Sequence, residues 1–366
     1  MILLEDYGFF ETMLYSLDMT QYDASVIPAR VTAVHKDRYE LICEYGTIFG
    51  RLKSSVYYTD GRESFPTTGD FVLISLNQSG DSIIIRTLPR KSMFVRSDFS
   101  GHAAGFVKTV LQQTIAANFD YVFILTSLNR DFNVSRVMRY LTMARQSGAQ
   151  PVVILTKADL QSDSNQYVAD IRKAAPHVPV HAVSSHTGFG LDELESYLQP
   201  RKTIVFLGMS GVGKSSLLNA LMKQEVMAVS SIREGDSRGR HTTTHRQLFM
   251  LPSGAMVIDT PGMRELGLFH ADEGISTEFS DVEELFTECR FTDCRHKTEP
   301  GCAVLAALND GALSRERWEY YLAQKQENRF VDDKTGYLKE KKARHKSISK
   351  WSKQMKKGSF FDEYSS

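Results

Sequence analysis

The apolar positions of this chain follow three different rhythms. Between residues 28 and 90 they fall in short β-branched runs: Arg30-Val-Thr-Ala-Val34, Tyr39-Glu-Leu-Ile-Cys43, Thr47-Ile-Phe-Gly-Arg-Leu52, Phe71-Val-Leu-Ile74 and Ser82-Ile-Ile-Ile-Arg86. Five strands at this spacing, split by turn residues, predict a small closed barrel such as an OB-fold. From Tyr121 onward strand and helix signals alternate. Strands are expected over 121–125, 152–155, 180–183 and 203–207, with helices over 133–146, 168–175, 191–198 and from Leu217. That alternation predicts an α/β domain with a mostly parallel sheet. Beyond Asp281 the pattern turns helical and irregular, with helices over 303–308 and 315–326. Ahead of the barrel, Leu3 to Leu17 is amphipathic and aromatic-rich, which predicts a short helix packed on the barrel. Residues 91–118 read as a connector with a glycine-containing middle, Ser100 to Gly105.

Length divides these rhythms into domains. A chain of 366 residues exceeds one ordinary core. The expected organisation is an N-terminal helical extension over 1–27, the barrel over 28–90, the α/β domain over 91–280, a helical domain over 281–330 and a tail over 331–366. Hydrophobic content of 42% is that of a globular protein. No apolar run approaches a membrane span, and Met1-Ile-Leu-Leu-Glu-Asp6 lacks the basic start of a signal peptide. Both point to the cytoplasm. The 44 basic and 44 acidic residues cancel. The tail does not share that balance: Lys334, Lys339, Lys341, Lys342, Arg344, Lys346, Lys350, Lys353, Lys356 and Lys357 face only Glu340 between them. Such a block suits an anionic partner, although charge alone fits a solvated tail equally well. Arg30, Lys36, Arg38, Arg51 and Lys53 on the barrel would also suit nucleic acid.

The chemistry centres on Gly208-Met-Ser-Gly-Val-Gly-Lys-Ser-Ser216, which lies between the strand 203–207 and a helix. Strand, glycine loop and helix make G-x-x-x-x-G-K-[ST] a phosphate site. Its amides and the helix N-terminus attract anions. Lys214 would reach the terminal phosphates, and Ser215 would ligate magnesium. Asp259-Thr-Pro-Gly262 ends another strand. There Asp259 would hold magnesium and Gly262 would offer its amide to a γ-phosphate. In Gly239-Arg-His-Thr-Thr-Thr-His245, either Thr243 or Thr242 is placed to join the magnesium shell.

Thr156-Lys-Ala-Asp159 follows the strand 152–155 and is similar to the N/T-K-x-D motif of GTPases. Asp159 would accept hydrogen bonds from guanine, a donor pair that adenine lacks, and the Lys157 stem would pack on the base. Ser184 and Ser185 lie in a loop similar to the S-A-K element that touches the base. These guanine elements precede the phosphate loop, which reverses the usual order and implies a circularly permuted P-loop GTPase. The segment after Gly262 then runs directly into the helical domain. There Cys289-x4-Cys294-x-His296-x5-Cys302 supplies three thiolates and an imidazole, the donor set of a closed, structural tetrahedral zinc site. Cys43 stands apart as a small buried residue.

The permuted motif order, the barrel before it and the zinc spacing after it resemble the RsgA (YjeQ) family of small-ribosomal-subunit-dependent GTPases. Gln113 to Asn118, Asp120 to Ile124, Gly208 to Leu217, Gly239 to Thr244 and Pro300 to Ala303 carry the resemblance, which spans about residues 28–328. It implies an N-terminal OB-fold β-barrel, a circularly permuted P-loop GTPase domain and a C-terminal helical zinc-binding domain. It further implies a monomer that binds GTP and GDP, the small ribosomal subunit and its rRNA, and no membrane. The implied activity is GTP hydrolysis stimulated by the subunit during late maturation. Many GTPases orient the attacking water with a glutamine after D-x-x-G. Met263 stands there and cannot do so, and the resemblance points to His241 instead. Gly211 stands where potassium-activated GTPases often carry asparagine. Two other readings compete: a signalling GTPase switch whose zinc domain binds a protein partner, and a passive RNA-binding module that only binds nucleotide.

Overall fold

A computed structural model of the chain describes residues 2–15, 17–36, 38–53, 57, 65–98, 111–129, 132–227, 246–259 and 271–332. The basic tail, the loop carrying His241 to His245, and Gly262 lie outside the described residues.

Five strands close the barrel: β1 (Val26–Val34), β2 (Tyr39–Cys43), β3 (Gly46–Leu52), β4 (Phe71–Ser75) and β5 (Ser82–Thr87). Their order is β1-β2-β3-β5-β4, and β4 returns to β1, with β3 and β5 parallel. Alternation along β4 explains its continuous burial. Val72 and Ile74 face the barrel interior with Val31, Leu41 and Ile84. Phe71 and Leu73 face outward and are covered by Leu4, Phe9 and the half-buried Met13 and Leu14. The N-terminal segment is thus a lid on the barrel. It is not the expected helix over 3–17: two 3-10 turns, Leu4–Tyr7 and Glu11–Leu14, replace it. Gly8, at φ 78°, terminates the first turn and prevents a continuous helix.

The connector forms a two-stranded antiparallel ribbon, β6 (Met93–Asp98) with β7 (Leu111–Ala117). The second sheet region then contains β8 (Tyr121–Ser127), β9 (Gln150–Thr156), β10 (Val180–Ala182), β11 (Thr203–Leu207), β12 (Gln247–Met250) and β13 (Met256–Asp259). Its order is β10-β9-β8-β11-β13-β12, parallel except for β12. β8, β9 and β10 precede β11 in sequence yet extend the sheet on one side of it, as permutation requires. α1 (Val134–Gln146) starts at Asn133, whose side chain accepts the Arg136 amide. α2 (Asn165–Ala174) covers the same face, and α3 (Lys214–Met222) covers the other. The helix expected over 191–198 is only a 3-10 turn at Asp192–Leu194.

Among the described residues no strand follows Asp259; the chain continues as α4 (Asp272–Glu278), α5 (Ser280–Thr287), α6 (Ala303–Asp310) and α7 (Arg315–Asp332). These helices share one core with the sheet: Ile275, Phe279, Val282, Val304 and Tyr321 join Val137, Leu141 and Val153. Arg317, almost fully buried, ties them together. It donates to Asp281 at 2.6 and 2.8 Å, to the Glu278 carbonyl at 2.7 Å and to the Ala174 carbonyl at 2.5 Å. Among the described residues no helix is long and apolar enough to cross a membrane.

Barrel and α/β sheet are joined edge to edge, because β1 pairs with β12 at Ala33 and Gln247. Gly69 makes the close approach possible. A Cβ there would lie 2.1 Å from the Ala117 carbonyl oxygen and 2.8 Å from Ile258 Cδ1. The guanidinium of Arg30, 1% exposed, fills the junction. It donates to the carbonyls of Gly69 (3.2 Å), Asn118 (3.0 Å) and Tyr7 and to Thr203 Oγ1 (3.0 Å), and lies 4.8 Å from the Phe71 ring centre. The expectation that Arg30 faces nucleic acid is therefore corrected. Its side chain is enclosed between the N-terminal lid, the barrel and the sheet.

Candidate nucleotide and metal sites

The phosphate loop leaves β11, whose five residues are all buried. Gly208 is required by space: a Cβ there would come within 2.5 Å of the Leu125 carbonyl oxygen on β8. Gly213 precedes α3 at φ 101°, a left-handed conformation that suits glycine. Lys214 Nζ donates to the carbonyls of Gly208 (2.8 Å) and Met209 (2.6 Å), so the ammonium lies within the loop's own curve. Ser210, Ser215 and Ser216 are half-buried and Val212 is buried beneath them. Asp259, 7% exposed, ends β13, the parallel neighbour of β11, so it stands on the same sheet edge as the loop.

The guanine elements meet that loop directly. Thr156, at the end of β9, donates its hydroxyl to the Val212 carbonyl at 2.5 Å. Lys157, in the left-handed region at φ 60°, donates to the Gly211 carbonyl at 2.8 Å. Threonine in place of the commoner asparagine thus still links this strand end to the phosphate loop. Ser184, fully buried, donates to Asp159 Oδ1 at 2.5 Å and accepts the amides of His186 and Thr187 at 3.3 and 3.2 Å. One hydroxyl therefore orients the carboxylate and shapes the following loop. Sequence reasoning grouped Ser184 with Ser185 at the base; only the packing of β9 beside β10 reveals its bond to Asp159.

The four metal-ligand candidates converge. The donor atoms of Cys289, Cys294, His296 and Cys302 all lie within 4.8 Å of one another. Cys289 Sγ and Cys302 Sγ lie 3.6 and 3.5 Å from His296 Nδ1 and 4.0 Å apart. A tetrahedral zinc ion would set S···N edges of about 3.5 Å and S···S edges of about 3.8 Å. Cys289, Cys302 and His296 match these edges, and Cys294 lies within 4.8 Å of each of them, close enough to complete the donor set. His296 adopts φ 55° and stacks on Phe286 at 4.3 Å, with Trp318 edge-on at 5.9 Å. Burial there lowers its pKa and favours the neutral imidazole a metal needs. Glu299 organises the intervening loop. Its carboxylate accepts the amides of Arg295, Lys297 and Thr298 at 3.2, 2.8 and 3.0 Å, and amide bonds of this kind hold its pKa down to about 2. Neither Glu299 nor the aromatic enclosure was anticipated. The i, i+3 spacing of Trp318 and Tyr321 on α7 was the available signal.

A phosphate loop and guanine elements joined in reverse chain order on a parallel sheet, behind a barrel, define a circularly permuted P-loop GTPase. The model of the RsgA GTPase family matches residues 87–269. The small ribosomal subunit biogenesis GTPase RsgA 1 of Listeria monocytogenes is 47% identical over 298 residues, 81% of this chain and 82% of that protein. The RsgA of Streptomyces avermitilis is 42% identical over 328 residues, 88% of this chain and 85% of its own. The crystal structure of YjeQ from Thermotoga maritima superposes with a TM-score of 0.61 at 25% identity, covering 81% of this chain and 96% of that one. That of YloQ, described as a circularly permuted GTPase, shares the fold at a TM-score of 0.60 and 22% identity, covering 85% and 96%. The chain belongs to the RsgA GTPase family and is a GTP-hydrolysing enzyme.

Proposed function

We propose that this GTPase works on the small ribosomal subunit during its late maturation, and that the subunit and its rRNA stimulate hydrolysis of GTP to GDP and phosphate. The observation that carries the reading is the junction of Asp159, Ser184, Thr156 and the phosphate loop. It occurs in a chain 47% identical to a small ribosomal subunit biogenesis GTPase. Thr156, Lys157, Asp159, Ser184 and Ser185 hold the guanine. Gly208, Met209, Ser210, Gly211, Val212, Gly213, Lys214, Ser215 and Ser216 wrap the phosphates, and the Gly262 amide meets the γ-phosphate. Ser215, Asp259 and Thr243 hold magnesium, which when bound offsets the charge shared by the β- and γ-phosphates. His241 orients the attacking water. Cys289, Cys294, His296 and Cys302 hold one structural zinc ion. The barrel and the basic tail of a cytoplasmic monomer engage rRNA. A signalling switch has no support among the relatives of this chain.

Co-sedimentation tests this reading. Linkage requires that if the subunit tightens GTP binding, GTP tightens subunit binding by the same factor. The chain should pellet with purified small subunits in a non-hydrolysable GTP analogue and be released in GDP. Equal retention in both states would remove the switch.

A further inference from the structure

Asp259 lies only two strands from the barrel. Ala33 on β1 pairs with Gln247 on β12, and Gln247 pairs with Asp259 on β13. At ordinary strand spacing this row is about 10 Å long. On the other side, the pairing of β13 with β11 runs from Met256 with Thr203 to Ile258 with Val205 and ends one residue short of Asp259. The backbone of Asp259 is therefore matched across the sheet by β12, a strand of four residues. A barrel side chain secures the start of that strand. Thr68, fully buried, donates its hydroxyl to the carbonyl of Arg246, the residue before Gln247, at 3.2 Å. The turn that carries Thr68 is itself held on several sides. The Asp70 carboxylate accepts the Thr67 amide and two donors of Arg90, each at 2.8 Å. The Gly69 amide donates to the Val31 carbonyl at 2.9 Å, the Val31 amide to the Asp70 carbonyl at 2.8 Å, and the Ala117 amide to the Thr68 carbonyl at 3.1 Å. Thr68 thus stands on a turn fixed to β1 and to the end of β7, and its hydroxyl reaches across to the α/β sheet.

We infer that Thr68 is a positioning residue for the magnesium side of the nucleotide site: by holding Arg246 it seats β12, and β12 sets where Asp259 stands at the sheet edge. This rests on the proposed magnesium role of Asp259, and adds the barrel residue on which that carboxylate depends. A strand of four residues makes few ladder bonds, so one buried side-chain bond at its start is a large share of what holds it. A carboxylate at a phosphate-bound metal has little freedom, since a displacement of about 1 Å can cost about 100-fold in rate. The hydroxyl comes from a turn that Arg90 and Asp70 keep in shape, so it reports the position of the barrel rather than its own loop motion. A displacement of the barrel therefore reaches Asp259 through Thr68 and Ala33 without passing through the phosphate loop.

The test titrates magnesium against binding of a fluorescent, non-hydrolysable GTP analogue to the full chain, in the wild type, Thr68→Val, Thr68→Ser and Asp259→Asn. Valine keeps the shape of threonine without the hydroxyl, whereas serine keeps the hydroxyl and loses the methyl. Both substitutions disturb a buried side chain, so a loss of stability alone would not separate them. Thr68→Val should need about three- to tenfold more magnesium to reach half of its full affinity, the factor that one hydrogen bond carries. Its affinity in the absence of magnesium should match the wild type. Thr68→Ser should titrate as the wild type does, and Asp259→Asn should be shifted further than Thr68→Val. Wild-type magnesium dependence in Thr68→Val, with Asp259→Asn shifted, would overturn the inference and leave the magnesium role of Asp259 standing. An equal shift in Thr68→Val and Thr68→Ser would make Thr68 a packing residue and also overturn it. A wild-type titration in Asp259→Asn would sink the magnesium role of Asp259 and the inference with it.

Discussion

Replacing Arg30 by methionine isolates what holds the barrel to the α/β sheet. The side chain stays long and apolar, so packing is largely kept, while the guanidinium is lost. Four oxygen acceptors then lose a donor: the carbonyls of Tyr7, Gly69 and Asn118 and the Thr203 hydroxyl, of which the Gly69 carbonyl keeps the Asn118 side-chain amide at 3.3 Å. A buried acceptor left unsatisfied costs about 1–3 kcal/mol. The four share one site, so their losses do not add. Removing the charge also relieves its desolvation, which is large enough to push the Arg30 pKa down to about 10 despite nearby Asp120 and Asp70. The expected net loss is about 2–4 kcal/mol, because the acceptors left unmet outweigh the relieved desolvation and no buried carboxylate loses its partner. In urea, where a chain this long has a slope of about 3 kcal/mol/M or more, this should move the unfolding midpoint down by about 1 M. Arg30→Lys should not rescue it, because an ammonium cannot spread donors over acceptors on four segments. The nucleotide site should be spared, since Thr203 begins β11 and the phosphate loop lies beyond its other end, about 15 Å away. Denaturant titration with GTP-affinity measurement on the folded variant checks both parts. A stability change within about 0.5 kcal/mol would refute the junction argument.

Asp159→Asn should weaken GTP binding by about 10- to 100-fold, as expected for losing charge-assisted hydrogen bonds, and relax discrimination against xanthine nucleotides; nucleotide titration reads both. Ser184→Ala should cost less, about fivefold, because it frees Asp159 without removing it. The purified chain should carry one zinc ion by metal analysis, and chelation should first raise hydrogen exchange in the loop between Cys289 and Cys302 and at Trp318, which touches His296. Burial raises the Asp120 pKa, but the Thr203 amide, Lys91 and Lys202 outweigh it and the net shift is downward. Asp120 therefore contributes stability above the ordinary carboxylate pKa of about 4 and loses it as pH falls through its lower folded value. Thermal unfolding of Asp120→Asn should show a deficit at pH 7 that shrinks toward pH 3.

The nucleotide motifs were legible because they place their chemistry at strand ends, and strand runs such as Val152 to Leu155 and Ile204 to Leu207 are apolar throughout. What joins the motifs was less legible. β12 is four residues long, and its pairing with β1 depends on a barrel edge far away in sequence. Arg30 looks the same in a β-rich run whether it meets water or carbonyls, and only the third layer around Tyr7 decides. The helix expected over 3–17 fails because its apolar residues fit a lid interrupted at Gly8 as well as a helical face. Glu299 is one acid among many until the loop folds around it.

Under the proposed function, a guanine-specific site on this chain turns over GTP under the control of the small subunit. Steady-state GTP hydrolysis, measured with and without purified small subunits, tests it most directly. The wild-type chain should be slow alone and much faster with subunits, while His241→Ala should bind GTP and subunit normally yet lose most of that acceleration. Turnover that subunits leave unchanged would rule out that control.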